Sequence, residues 1–258
     1  MQLRTLNVIY LGRVDYSTAL ELQQTLVHLV KEGRIGHTLL LLEHPPVITL
    51  GRNAVEQNIV ASRDVLESKG VELHETDRGG DVTFHGPGQL VGYPIFDLRG
   101  FTPRIGAVEF VRKIEEALIR TCGDLGVVTQ RVSGMTGVWT EGGAKIAAIG
   151  VHISRAVTSH GFALNVNTDL DYFNLIVPCG IADKPVTSLQ RELALASRKL
   201  PSLEGAAELV SRNFGRVFEA QTLWLESLEA LLASPQDTPA HAPEELRRIA
   251  GEEDIYLA

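Results

Sequence analysis

Apolar and polar positions alternate along this chain with two different periods, one helical and one extended, and the switch between them marks its elements. Leu22, Leu26, Leu29 and Val30 recur every three or four residues. They predict a helix that starts at Asp15 or Ser17, runs to about Lys31 and stops at Gly33. Ala107, Val111, Ile114, Leu118 and Cys122 share one stripe and predict a helix over Ile105–Asp124, with Cys122 in the core. Ala206, Leu209, Val210, Phe214 and Val217 predict a third helix over Leu203–Phe218, and a short one is expected near Arg63–Lys69, ending at Gly70. Extended runs are predicted at Val8–Leu11, Thr38–Glu43, Val47–Leu50, Glu72–Thr76, Asp81–His85, Gln89–Phe96, Val138–Thr140, Lys145–His152 and Gly161–Val166. Pro45-Pro46 separates two of them, and Glu141-Gly142-Gly143-Ala144 is a hairpin signal. Hairpins mixed with flanking helices, with no internal repeat, argue for an α+β fold.

Composition and charge divide the chain. Of its 258 residues 44% are hydrophobic, enough for a sizeable core. The net charge is -8, but residues 225–258 alone hold eight acids and two bases, leaving a nearly neutral body over 1–224. Within that acidic extension 233–243 reads as a linker and 244–250 as a short helix, and a solvated appendage is the default expectation. No Lys/Arg run or basic stripe is present, which argues against a nucleic-acid partner. The start of the chain reads as a strand, not a signal peptide, and Leu39–Leu42 is stopped by Glu43 and His44, far short of a membrane span. Two cysteines cannot form a disulfide framework and fit a reducing compartment, so a cytoplasmic protein is expected.

The chemistry-bearing residues fall in four segments. Arg78-Gly79-Gly80-Asp81-Val82-Thr83-Phe84-His85-Gly86-Pro87-Gly88-Gln89 is the densest. Alternation puts Asp81, Thr83 and His85 on one face, as a polar pocket wall, and Val82 and Phe84 on the other, toward the core. A tight turn would need the glycines but not the polar residues. Lys145 opens an otherwise apolar run, Ile146–Ile149, and reads either as a solvated charge or as an amine near a site. Cys179, between Pro178 and Gly180, is either an inert buried thiol or a nucleophile. His152 and His160 are further candidates. The glycine spacing fits neither a dinucleotide fingerprint nor a P-loop, and no C-x-x-C or H-E-x-x-H spacing suggests a metal.

Taken together, Arg78–Gln89, Gly137-Val138-Trp139, Lys145-Ile146-Ala147-Ala148-Ile149-Gly150, Gly161-Phe162-Ala163-Leu164-Asn165 and Pro178-Cys179-Gly180 resemble, in order, the blocks of the lipoyl(octanoyl) transferase family. The similarity runs from about residue 7 to 220. The resemblance implies the catalytic-domain fold of biotin and lipoate protein ligases, a mixed, largely antiparallel sheet flanked by helices. It makes 1–224 the catalytic domain and is silent on 225–258. It places an acyl-thioester on Cys179 and a proton partner at Lys145. It puts acyl-chain contacts at Arg78, Gly79, Gly80, Asp81, Val82, Thr83, Phe84 and His85, at Ala148, Ile149 and Gly150, and at Gly161, Phe162 and Ala163. Thr140 stands where the family more often has an apolar residue.

The implied reaction moves an octanoyl group from octanoyl-acyl carrier protein to a lysine of a lipoyl domain, the first step of endogenous protein lipoylation. The implied acceptors are the lipoyl domains of 2-oxoacid dehydrogenase E2 subunits and the glycine cleavage H protein. No cofactor and no metal are implied, because the thioester is already activated. A monomer is expected, with a Lys/Arg patch for its acidic partners to which Arg104, Arg112 or Lys184 would contribute. Two other readings compete. One is an ATP-dependent ligase on the same fold, which would not need the cysteine. The other is a catalytically silent acyl-binding protein, which would not need both Cys179 and Lys145.

Overall fold

A computed structural model describes residues 4–177, 184–233 and 255–257. Four consecutive leucines at the heart of the chain explain its layering. In β2 (Thr38–Glu43), Leu39 and Leu41 point to one side and Leu40 and Leu42 to the other, and all four are fully buried. Such a run is stable only in a strand covered on both faces. One cover is α1 (Tyr16–Lys31), whose Ala19, Leu26, Leu29 and Val30 meet Leu40 and Leu42. The other is the pair α3 (Ala107–Asp124) and α5 (Leu203–Phe218), whose apolar stripes meet Leu39 and Leu41. Cys122 lies in that second layer, and burial pushes its thiol up to about 12, so it is a core residue with no accessible thiolate.

Among the described residues nine strands form the main sheet. β1 (Arg4–Arg13) pairs in parallel with β2 and with β11 (Ala220–Trp224). From β2 the order continues through β6 (Gln89–Ile95), β10 (Val157–Asn165), β9 (Lys145–Ser154), β8 (Met135–Thr140) and β7 (Thr129–Val132), each pairing antiparallel. A smaller sheet, β4 (Glu72–Glu75), β3 (Val47–Leu50) and β5 (Val82–His85), stands beside it with α2 (Arg63–Ser68). It has its own core of Ile48, Leu66, Val71, Val82, Phe84, Phe173, Leu175 and Ile176. The α+β architecture with a mixed, largely antiparallel sheet is therefore observed. Helices and strands reproduce the predicted elements to within a few residues. Not anticipated are β7, β11, α4 (Leu189–Leu195), α6 (Leu228–Ala233) and β12 (Ile255–Leu257).

The acidic extension is not simply a solvated appendage. Leu231 is fully buried in the α1 layer, and β12 pairs antiparallel with β9. An apolar side chain with a layer to enter stabilises the packed state whatever the mean charge of its segment. The helix expected at 244–250 lies outside the described residues.

Candidate active site

Lys145 is set where the main sheet meets the segment after residue 183. Its amide donates to Pro185 O (2.8 Å) and its carbonyl accepts from Thr187 N (2.9 Å), so this segment runs beside β9 as a short parallel bridge. The side chain is 9% exposed, and its ammonium sits 5.0 Å from the centre of the Trp139 ring, whose face attracts a cation. Gly137 leaves room for it: a Cβ there would lie 2.9 Å from Lys145 Cε.

Beside this residue lies a narrow crevice lined by Thr83, Gln89, Lys145, Ala148, Ala163, Asn165, Phe173 and Val186. Ala148 and Ala163 face each other across β9 and β10, and their small side chains keep the crevice open. Its polar wall is a relay of buried groups. His85 Nδ1 donates to Gln89 Oε1 (2.8 Å), because Gln89 Nε2 is committed as donor to Phe84 O (3.2 Å) and Asn165 Oδ1 (2.9 Å). Asn165 Nδ2 then donates to Thr187 O (2.9 Å), the residue bonded to Lys145. Burial, and the nearby His44, hold the His85 imidazole down to about 3, so it is neutral and carries a lone pair on Nε2.

The Arg78–Asp81 arm is tied down on all sides. The Arg78 guanidinium is buried and donates to Thr49 Oγ1 from Nε (3.1 Å) and Nη2 (2.9 Å). Nη2 also reaches Thr49 O and Asp81 O (2.7 Å each), and Nη1 reaches Gly79 O (2.9 Å). Asp81 accepts from Val55 N (2.9 Å) and from Asn58 Nδ2, and Asn58 O accepts from Val177 N (2.7 Å), two positions before Cys179. Gly80 has φ +91 and its carbonyl accepts from Asn53 N (3.0 Å).

Comparison with known proteins decides the family. The model of the lipoyl protein ligase A/B catalytic domain matches residues 15–214. An octanoyltransferase of Koribacter versatilis is 66% identical over 98% of this chain and 99% of its own length, and one of Acidobacterium capsulatum is 61% identical over 88% and 96%. The chain belongs to the octanoyltransferases of the lipoyl protein ligase A/B family. It is an acyltransferase. Among solved structures, a bipartite lipoate protein ligase of Thermoplasma acidophilum superposes with a TM-score of 0.65 at 18% identity, covering 89% of this chain and 91% of that one. A lipoate-protein ligase A bound with ATP gives 0.64 at 18% identity, covering 90% and 93%. At that identity the likeness speaks for the fold alone.

Set in that family, the anticipated residues separate into groups. Lys145, Thr83, Ala148 and Ala163 line the crevice, and His85 stands one hydrogen bond behind it. Val82 and Phe84 turn into the small sheet's core, as alternation predicts for them, and do not line the crevice. Ile149 and Phe162, paired across β9 and β10, face the α3–α5 layer for the same reason of parity and do not line it either. Arg78 and Asp81 spend their polar groups on the fold. Gly150 and Gly161 permit close approach: a Cβ at Gly150 would lie 2.7 Å from Gly79 O, and one at Gly161 would lie 2.2 Å from Gly92 O. Cys179, with its neighbours Pro178 and Gly180, lies outside the described residues.

His152 and His160 are placed elsewhere. Both bond one carboxylate, Asp77, at 2.7 Å each, and those two bonds hold its pKa far below the usual carboxylate range. Thr140 is buried and its Oγ1 accepts from Ala144 N (3.2 Å), so the hydroxyl closes the β8–β9 hairpin. Gln89 was among the polar residues that a tight turn would not need, whereas Asn165, Phe173 and Val186 were not singled out from the sequence. Gln89 and Asn165 end two of the recognisable blocks, and that was the available signal; Phe173 and Val186 offered none.

Proposed function

We propose that this chain transfers an octanoyl group from octanoyl-acyl carrier protein to the lysine of a lipoyl domain, by way of an acyl-thioester on Cys179. The observation that carries the reading is Lys145, which lines a crevice whose other described lining residues are uncharged and which is bonded through its backbone to the segment that follows Cys179. Lys145 in its amine form takes the thiol proton. The Cys179 thiolate attacks the donor's carbonyl, a C–S bond forms, the donor's C–S bond breaks, and the leaving thiolate takes the proton from Lys145. The lipoyl-domain amine then attacks the acyl-enzyme. An amide forms as the bond to Cys179 breaks, and Lys145 carries the amine proton to the cysteine sulfur. Thr83, Ala148 and Ala163 border the acyl chain, and Arg78–Gly80, Gly150 and Gly161 shape the surrounding backbone.

The acceptors are the lipoyl domains of 2-oxoacid dehydrogenase E2 subunits and the glycine cleavage H protein, and the enzyme acts as a monomer in the cytoplasm. Among the described residues no helix is long and apolar enough to cross a membrane. Of the expected basic contacts, Lys184 stands one residue before the Pro185 that bonds Lys145, whereas Arg112 is ion-paired to Glu115. Incubation with octanoyl-acyl carrier protein, without ATP, should leave an octanoyl mass on the peptide containing Cys179. Absence of that adduct, with transfer surviving in Cys179→Ser or requiring ATP, overturns the proposal.

A further inference from the structure

β12 (Ile255–Leu257) adds itself to β9 where β8 has already left. β8 pairs with Lys145 and Ala147 only, whereas β12 takes the stretch beyond, with Ile255 opposite Ile153, Tyr256 opposite His152 and Leu257 opposite Val151. Three independent contacts fix it there. The Tyr256 ring stacks on His152, centroids 4.4 Å apart and planes 16° apart. The Arg52 guanidinium lies over the same ring, 4.5 Å from its centre. Leu257 packs against the α3–α5 core.

The same strand closes on the Arg78–Gly80 arm. Gly79 N donates to Val151 O (3.1 Å), so the arm already lies along β9. A Cβ on Gly79 would fall 2.2 Å from Leu257 O and 2.6 Å from Leu257 N. On its other side the Gly79 carbonyl abuts Gly150. Gly79 is thus held between two backbones, one from β9 and one from β12, and only a residue without a side chain fits.

We infer that β12 is a positioning strand, bound in cis at an added-strand site on β9, that holds Arg78–Gly80 in place beside the acyl crevice. The site recognises an extended apolar–aromatic–apolar stretch: backbone pairing supplies the affinity, and the His152–Arg52 cradle selects the ring at its centre. An uncharged, ring-bearing strand inside an acidic extension is what such a site demands, and Ile255-Tyr256-Leu257 meets it. The structural part stands without the proposed reaction; the kinetic part rests on it.

The test uses the full chain with Tyr256→Ala, which removes the stack and the cation contact, and Tyr256→Phe, which keeps both. Amide hydrogen exchange at Gly79 is expected to quicken at least tenfold in Tyr256→Ala and to return to the parent rate in Tyr256→Phe. Over the same series KM for the octanoyl donor should rise severalfold with kcat retained, and recover in Tyr256→Phe. Unchanged exchange at Gly79 in Tyr256→Ala, or amides of 256 and 257 that already exchange freely in the parent, overturns the docking. Faster exchange with an unmoved KM overturns the positioning role. A parent chain inactive in octanoyl transfer condemns the proposed reaction instead, and the exchange experiment still decides the strand.

Discussion

Gly137→Ala isolates how far the position of Lys145 depends on the strand beside it. Gly137 sits at φ +127, where a side chain is strained whatever the space around it. The new Cβ would also lie 2.7 Å from Ala147 O and 2.9 Å from Lys145 Cε. The first neighbour is backbone in the adjoining strand and yields only if β8 and β9 separate locally. The second is a flexible stem and yields by swinging away, which takes the ammonium off the Trp139 face. Backbone strain of about 1–3 kcal/mol plus the forced shift predicts a loss of roughly 2–4 kcal/mol. In a chain of this size that lowers Tm by roughly 5–15 °C. If Lys145 carries the proton as proposed, displacing it by about 1 Å should cut single-turnover acyl transfer on the order of a hundredfold. The assays are thermal unfolding and single-turnover transfer at saturating donor. Full kcat alongside the lost stability would refute the reasoning, since the strain would then be absorbed in β8 without moving Lys145. Glu115 offers an independent check: fully buried, it accepts from Gly137 N (3.1 Å) while ion-paired to Arg112 and Arg131. Glu115→Ala should lower activity in the same direction by freeing that amide.

Acid should destabilise the chain well above the usual carboxylate range. His44 and His85 are buried, and burial holds them at about 4 and about 3, against about 6.5 when unfolded. The unfolded chain therefore takes up protons first as pH falls from about 6.5 toward 4, and stability is lost there by about 1.4 kcal/mol per pH unit for each group. Chemical denaturation that is flat between pH 7 and 5 would contradict this. Arg78→Met should cost roughly 3–5 kcal/mol, since it takes the guanidinium donors from the carbonyls of Thr49 and Gly79 and leaves the Asp81 carbonyl with Gly51 N alone, and urea unfolding reads it. Native protein should leave Cys122 unmodified by a thiol reagent, with labelling appearing only on unfolding; rapid native labelling at that position on peptide mapping would place it outside the core.

Much of this architecture was legible because its signals are local. A stripe such as Ala107 to Cys122 needs only a helix and one apolar neighbour, and the hairpin at Glu141–Ala144 needs only its turn residues. Parity along β5 placed Thr83 opposite Val82 and Phe84 before any partner strand was known. The same parity applied to β9 and β10 would have taken Ile149 and Phe162 out of the crevice, had family blocks not been read as contiguous contact sets. What failed to show was long-range. β11 and β12 are short, and each is a strand only because an edge of β1 or β9 is there to receive it. Asp77 gave no signal because its meaning lies in His152 and His160, brought to it by β9 and β10.

The charge of the crevice also bears on how the acyl group arrives. Activating a free acid with ATP needs several cations to hold a triphosphate and the charge that develops on it. Of the described side chains lining the crevice, Lys145 is the cationic one. Arg78, the nearest guanidinium by sequence motif, aims its donors at Thr49, Gly79 and Asp81, inside the fold. Withdrawing it to face a phosphate would take its donors away from the carbonyls of Thr49 and Gly79. A thioester donor makes no such demand: its carbonyl is already activated, the exchanged groups are both sulfur, and a single amine that accepts and returns one proton suffices. The charge of the described lining residues therefore fits the proposed thioester donor. It predicts that ATP with magnesium, added at saturation, leaves both the Tm of the protein and its rate of octanoyl transfer unchanged. A thermal shift on nucleotide addition would show that other cations are recruited, and would return the ligase reading to contention.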